Sequence, residues 1–243
     1  MAPLDPLADL LRRTNKLRDP TRAQVAACVG AWWRDHELAA HPAVVGKRIA
    51  LLLLEQARPA SKLAAISLLG RQLGEHLRGA DLPAFERLFA DGHLADAIVV
   101  DGFSVHVLAT LLARGAGRGE VARVIASWRA ADTEWQRRAA CLAFSAFAAR
   151  SAEAVPEVLA SILALCAAVL WSPSRADQTA VGAVLRELGR TQPARVEAFV
   201  RRYARFMSRE CARASIARLS PPTRTALLAH HTRATTLVRS SRP

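Results

Sequence analysis

One residue in five of this 243-residue chain is alanine, 50 in all. Ala is the strongest helix former, whereas sheets select β-branched and aromatic side chains. Aromatic residues make up only 5% of the chain. Such a composition cannot fill the faces of a sandwich, a barrel or a Rossmann sheet, so it predicts an all-α fold. Hydrophobic residues total 51%, ample for a buried core, which excludes disorder as the main state.

Helix punctuation recurs along the chain. Asp19-Pro20 sets a capping Asp before a Pro at the first helical position and opens a helix to about His36. His41-Pro42 starts a helix through Leu54, and Ala60 to Leu77 carries Leu63, Ile66, Leu69 and Leu73 at helical spacing. Leu82-Pro83 opens a short helix closed by the Asp91-Gly92 turn. A helix from about Asp101 to Leu112 precedes the loop Arg114–Gly119, and another runs to Arg129. Asp132 caps a helix to Ala149, and further helices follow at about 153–171, 175–190, 194–206 and 208–218. Ser220-Pro221-Pro222 opens the last, through His230. Short loops between helices of this length describe antiparallel pairs stacked in sequence, an α-solenoid with a repeat near ~40 residues. A compact bundle is the alternative arrangement. Residues 1–231 are expected as a single domain, and 232–243, with Arg233, Arg239 and Arg242, as a disordered basic tail.

Charge points to the partner. Arg supplies 31 of the 34 basic residues against 21 acidic ones. Residues 1–174 carry a net +3 and residues 175–243 a net +10. A skew of this kind points to a polyanion or an anionic surface, and Arg suits phosphate because its planar fork bonds two oxygens at once. Cys28, Cys141, Cys166 and Cys211 lie far apart in apolar helical patterns with no C-x-x-C pair, so they read as buried free thiols, with no zinc or redox site. The longest apolar stretch, Val155 to Trp171, contains Pro156, Glu157 and Ser161 and fits a core helix better than a membrane span. The first residues show no charged-then-apolar pattern, so no signal peptide is expected there. A soluble cytoplasmic, nucleoid-associated monomer is expected, with no membrane, cofactor or metal.

Three stretches carry candidate chemistry. In Asp132–Phe144, Arg137 and Arg138 are adjacent and point about 100° apart, so only one projects fully to solvent. In Ala180–Pro193, Gly182 interrupts a strong helix, which marks close packing or close ligand approach, and Arg186 and Arg190 form an i, i+4 basic stripe. In Tyr203–Arg213, Ser208 is a good N-cap that leaves amide groups for a phosphate, beside Arg209 and Arg213. His106, alone in an apolar helix, reads as a core residue, and His230-His231 suits a helix C-terminus.

The run Trp135-Gln-Arg-Arg-Ala-Ala, the run Gln178–Pro193 and Met207-Ser-Arg resemble the bacterial DNA alkylation repair glycosylases built from HEAT-like repeats, over about residues 20–230. The resemblance implies a C-shaped α-solenoid whose basic concave face cradles duplex DNA. It further implies hydrolysis of the N-glycosidic bond of N3- or N7-alkylated purines, with a bulkier purine as the alternative where family tryptophans are missing and the cleft is wider. The family's Trp-x-x-x-Asp falls on Ala97-Ile-Val-Val-Asp101, so Asp101 matches the catalytic carboxylate and Ala97 replaces the first Trp. Arg138 matches the catalytic Arg, and Ala183 stands where the family has its second Trp. Arg137, Arg186, Arg190, Arg209 and Arg213 are the expected DNA contacts. Asp101 followed by Gly-Phe-Ser-Val also reads as a helix N-cap.

Three functions follow from these residues. Asp101 and Arg138 favour a DNA glycosylase. Ala97 and Ala183 favour a catalytically inactive DNA-binding solenoid that recognises distorted or branched DNA. The C-terminal charge argues against the third, a solenoid that binds only protein.

Overall fold

The computed structural model describes residues 5–113, 117–150 and 156–240, with side chains at all of these except 150, 156, 157 and 237–240. Among them the elements are α1 (Pro6–Asn15), α2 (Arg22–Asp35), α3 (Ala43–Leu54), α4 (Pro59–Ser67), α5 (Leu82–Ala90), α6 (Ala97–Phe103) and α7 (Ala109–Ala113). They continue with α8 (Arg118–Ser127), α9 (Glu134–Arg150), α10 (Pro156–Val169), α11 (Arg175–Leu188), α12 (Pro193–Tyr203), α13 (Arg209–Ser215) and α14 (Pro221–Ser240). No strand occurs among the described residues, and the fold is an all-α, solenoid-like array. The chain divides into two compact units, Met1–Leu111 and Leu112–Pro243. Parts of the expected Arg114–Gly119 loop, of the 153–171 helix and of the tail lie outside the described residues.

In the first unit α4 is the hub, packed against α1, α2, α3 and α6. Thr21, not Asp19, caps α2, because Thr21 and Gln24 close a reciprocal capping box, while Asp19 sits at φ 42°. α1, which the sequence does not mark, is pinned by Trp32, whose Nε1 donates to the Pro6 carbonyl at 2.8 Å. It is pinned also by buried Asp9, which accepts from Arg12, from Arg13 Nε at 2.8 Å and from His36 Nε2 at 2.9 Å. α4 and α6 each pass into a π-helical segment, Leu68–Gln72 and Ser104–Leu108, and these two segments pack together. Gly70 permits the contact: a Cβ there would lie 2.7 Å from the His106 carbonyl oxygen.

In the second unit α9, α11 and α13 form a row, with α10 against α8 and α12 against α14. Gly182 answers to packing: a Cβ there would sit 3.0 Å from Ala214 Cβ and 3.3 Å from the Cys211 carbonyl, on α13. The four cysteines are free thiols, and Cys28 is only half-buried where the sequence expects burial. α14 continues ten residues past His230, to Ser240, so most of the expected tail is helix. Buried His231 anchors this extension, with Nε2 bonded to the Met207 carbonyl at 2.9 Å.

Asp9 yields a pH prediction. Burial pulls its pKa up, but the bonds from His36 and Arg12 and the charge of Arg13 outweigh it and hold the carboxyl below its ordinary value. A depressed carboxylate stabilises the fold above its unfolded pKa and loses that contribution as pH falls through the folded one. Asp9→Asn should therefore lower the urea midpoint at pH 7. The gap to wild type should close below about pH 4, the ordinary carboxylate range.

Candidate nucleic-acid interface

Asp101 belongs to the first unit. The capping duty that the sequence offers it falls to Asp96, whose carboxylate accepts the Val99 amide at 3.0 Å and starts α6 at Ala97. Asp101 lies a turn further on, half-buried, just ahead of the π-helical segment. Turns of this kind recur at functional sites. His106, expected in the core, is exposed, because the wider turn carries it off the α-helical stripe. Arg22, which the sequence does not single out, reaches the same helix: its Nη2 is 3.4 Å from the Ile98 carbonyl and 3.6 Å from where a Gly102 Cβ would be. The Arg22 guanidinium thus lies alongside the helix that carries Asp101, at ordinary contact distance from Gly102. Lys62 donates to the His93 carbonyl nearby; burial lowers its pKa, and Asp96 partly offsets this. Ala97 is exposed on α6.

The second unit holds the arginines. Arg137, one of the expected phosphate contacts, is engaged inside the protein. Its Nε bonds the fully buried Asp177 at 3.0 Å, and its Nη1 donates to the Ala131 carbonyl at 2.6 Å and the Asp132 carbonyl at 3.2 Å. The guanidinium therefore joins α9 to α11 and closes the loop before α9. A second link runs beside it: Ser174, the N-cap of α11, donates to Glu134 Oε2 at 2.6 Å. Half-buried Arg138 lies at the same end of α11, with Nη1 3.4 Å from the Ala176 carbonyl.

Gln178 carries the linkage to α13. Its Nε2 donates to the Leu170 carbonyl at 3.1 Å and the Phe206 carbonyl at 3.0 Å, and its Oε1 accepts the Ser208 amide at 3.0 Å. Ser208 Oγ in turn accepts the Cys211 amide at 3.0 Å. These two amides of the Ser208 turn are thus engaged inside the protein, which removes them from the phosphate site expected there. Arg209 and Arg213 are exposed. Arg186 and Arg190 converge with Arg218 on Glu187, at 3.4, 3.9 and 3.7 Å. By helix rise, Arg186 lies roughly 14 Å along α11 from Asp177. The arginines therefore form two groups, one near each end of the helix.

The bonds of Gln178 also position an aromatic pair absent from the sequence reading. Trp171 is 66% exposed, and its ring lies 4.1 Å from that of Phe206, over which Arg205 sits at 4.5 Å. Its place at the end of a long apolar run makes Trp171 look like a core residue. Ala183, half-buried, receives a bond from Ser145 Oγ to its carbonyl at 3.3 Å. The thiols near this region are poor nucleophiles at neutral pH. Burial, with Asp177 nearby, pushes Cys141 far up, and burial raises Cys211 to about 12 despite the Ser215 bond.

The α9–α11 contacts join residues 38 to 40 positions apart, the repeat of a stacked helical-pair protein. The chain belongs to the family described as DNA alkylation repair enzyme, whose family model matches residues 20–219. A comparison with curated proteins finds no match. Among the described residues no helix is long and apolar enough to cross a membrane.

Asp177 is the residue on which the second unit is most exposed to damage. Removing one partner of a buried ion pair costs about 3–5 kcal/mol, because the other charge is left uncompensated. Arg137→Ala should show a loss of this order in urea unfolding, while Arg186→Ala, on a half-exposed side chain, should leave the midpoint nearly unchanged.

Proposed function

We propose that this protein binds duplex DNA and hydrolyses the N-glycosidic bond of N3- or N7-alkylated purines, with Asp101 as the acting carboxylate. The observation that carries this reading is that Asp101 is not the cap of its helix, although it lies within the family match. The cap of α6 is Asp96, so capping does not account for Asp101, and a carboxylate acting on the sugar is the role proposed for it.

The chemistry asks little of the protein. An alkylated purine is cationic and leaves as a neutral base, so no general acid is needed. As the bond from C1′ to the base nitrogen lengthens, positive charge grows on the sugar, and a fixed carboxylate stabilises it. Water then adds at C1′, and its proton passes to the carboxylate or to solvent. Arg138, the residue matching the family's Arg, holds a phosphate of the bound duplex. Arg186, Arg190, Arg209 and Arg213 supply further phosphate contacts. The Trp171–Phe206 pair offers an aromatic face of the kind that Ala97 and Ala183 no longer supply.

A specific observation favours a second reading. Ala97 is exposed and leaves an open surface where the family has Trp. A protein that kept the arginines and lost the aromatic faces would bind distorted DNA without cutting it.

Asp101→Asn separates the two. If the carboxylate stabilises the sugar cation, release of base from duplex carrying N7-methylguanine should fall at least about tenfold, more than 1.4 kcal/mol of barrier, with DNA affinity held. No release by wild type, or by the Ala97→Trp, Ala183→Trp protein, overturns the glycosylase reading and leaves the binder.

Binding itself is tested by salt. With about five to eight phosphates neutralised, affinity should fall with a log–log slope of roughly −4 to −7. Arg186→Ala with Arg190→Ala should weaken binding about equally on all sequences, since phosphate contacts carry no base information.

A further inference from the structure

α13 and the extended half of α14 flank an open cavity of about 560 Å³. Arg209 and Arg213 line it from α13, and His231, Thr232, Thr235 and Thr236 from α14. None of the described residues lining it is acidic. His231 is the telling member, because it is only 6% exposed and still borders the cavity. Its Nε2 is held on the Met207 carbonyl at 2.9 Å, which fixes the ring. The threonines stand at i, i+3 and i+4 on one helix face. Thr232 donates to the Leu228 carbonyl at 3.0 Å and Thr235 to the His231 carbonyl at 3.0 Å. Such bonds back into the helix are weak, and the hydroxyl can rotate toward a ligand.

We propose that this cavity is a phosphate-binding pocket, with Arg209 and Arg213 as its charged contacts. Two guanidiniums facing a cavity without a carboxylate favour a doubly charged oxyanion, and Arg binds phosphate oxygens in pairs. The volume falls in the range of small-molecule sites, room for a nucleotide rather than a bare ion. The charge comes from side chains, since the Ser208 and Cys211 amides are engaged inside the protein. The phosphate comes from one of two sources, the backbone of bound DNA or a free nucleoside monophosphate. Only the first rests on the DNA-binding reading above.

The test titrates deoxyadenosine monophosphate into the full chain, with uncharged deoxyadenosine as control, following heat and the amide shifts of α13 and α14. Saturable binding of the monophosphate alone is expected, weakened at least about tenfold in Arg209→Ala and Arg213→Ala. Arg224→Ala, an exposed arginine of α14 that does not line the cavity, should bind as wild type does. Displacement of the bound nucleotide by duplex DNA assigns the pocket to the DNA backbone, and simultaneous binding assigns it to a free monophosphate. No saturable binding, or equal loss in all three variants, overturns the pocket. Base release is assayed separately, so its failure leaves this result intact.

Discussion

A fully buried carboxylate sets the terms for the second unit. Asp177 has one oxygen on Arg137, and its Oδ1 has no hydrogen-bond partner. Burying an ion costs several kcal/mol unless a counter-charge lies in the right place. α9 and α11 therefore have one favourable register, the one that brings Arg137 to Asp177. The next residue, Gln178, does the same in the other direction. Consecutive positions on a helix point about 100° apart, so Asp177 reaches back to α9 while Gln178 reaches forward to α13. Two adjacent side chains on the middle helix thus align both neighbours.

Much of the candidate interface follows from that alignment. Arg138 is next to Arg137, so fixing one guanidinium against α11 fixes the backbone that carries the other. Trp171 and Phe206 come from loops on either side of Gln178, whose amide holds the carbonyls of Leu170 and Phe206 together. Exposed aromatic rings are normally free to move; this pair is held by its own backbone. In the first unit the corresponding constraint is steric. The packed π-turns leave no room for a side chain at Gly70, and the segment that follows Asp101 is seated against that glycine.

The parts legible in the sequence were those decided locally. Ala content, Pro at helix starts and turn glycines placed most helices and the ~40-residue repeat, because each signal acts within a few residues. Caps were harder. Asp19 and Thr21 both suit an N-cap, and the choice went to Thr21 through Gln24. Asp101 and Asp96 competed in the same way, and Asp96 won. Features that depend on distant residues were not legible. The inward turn of Arg137 needs Asp177, 40 positions on. The π-turns need each other, and α14 extends past His230 because His231 finds the Met207 carbonyl. A basic, acid-free segment looks like a tail until such a contact exists.

The loss of both family tryptophans and the retention of Asp101 fit one physical argument under the proposed function. Interactions accelerate a reaction only if they are stronger in the transition state than in the ground state. A carboxylate beside the sugar meets this condition, since the charge it stabilises appears only as the bond breaks. An aromatic face near an alkylated base meets it less well: the base is already cationic in the ground state and becomes neutral on leaving. Such a face adds about 0.5–2 kcal/mol, part of it to the substrate as well. The aromatics are thus the more replaceable half, and under the proposed function Trp171 and the two groups of arginines take over the holding of DNA. The carboxylate has no substitute among the groups described near α6, where Asp96 is occupied as a cap and Lys62 and Arg22 carry the opposite charge.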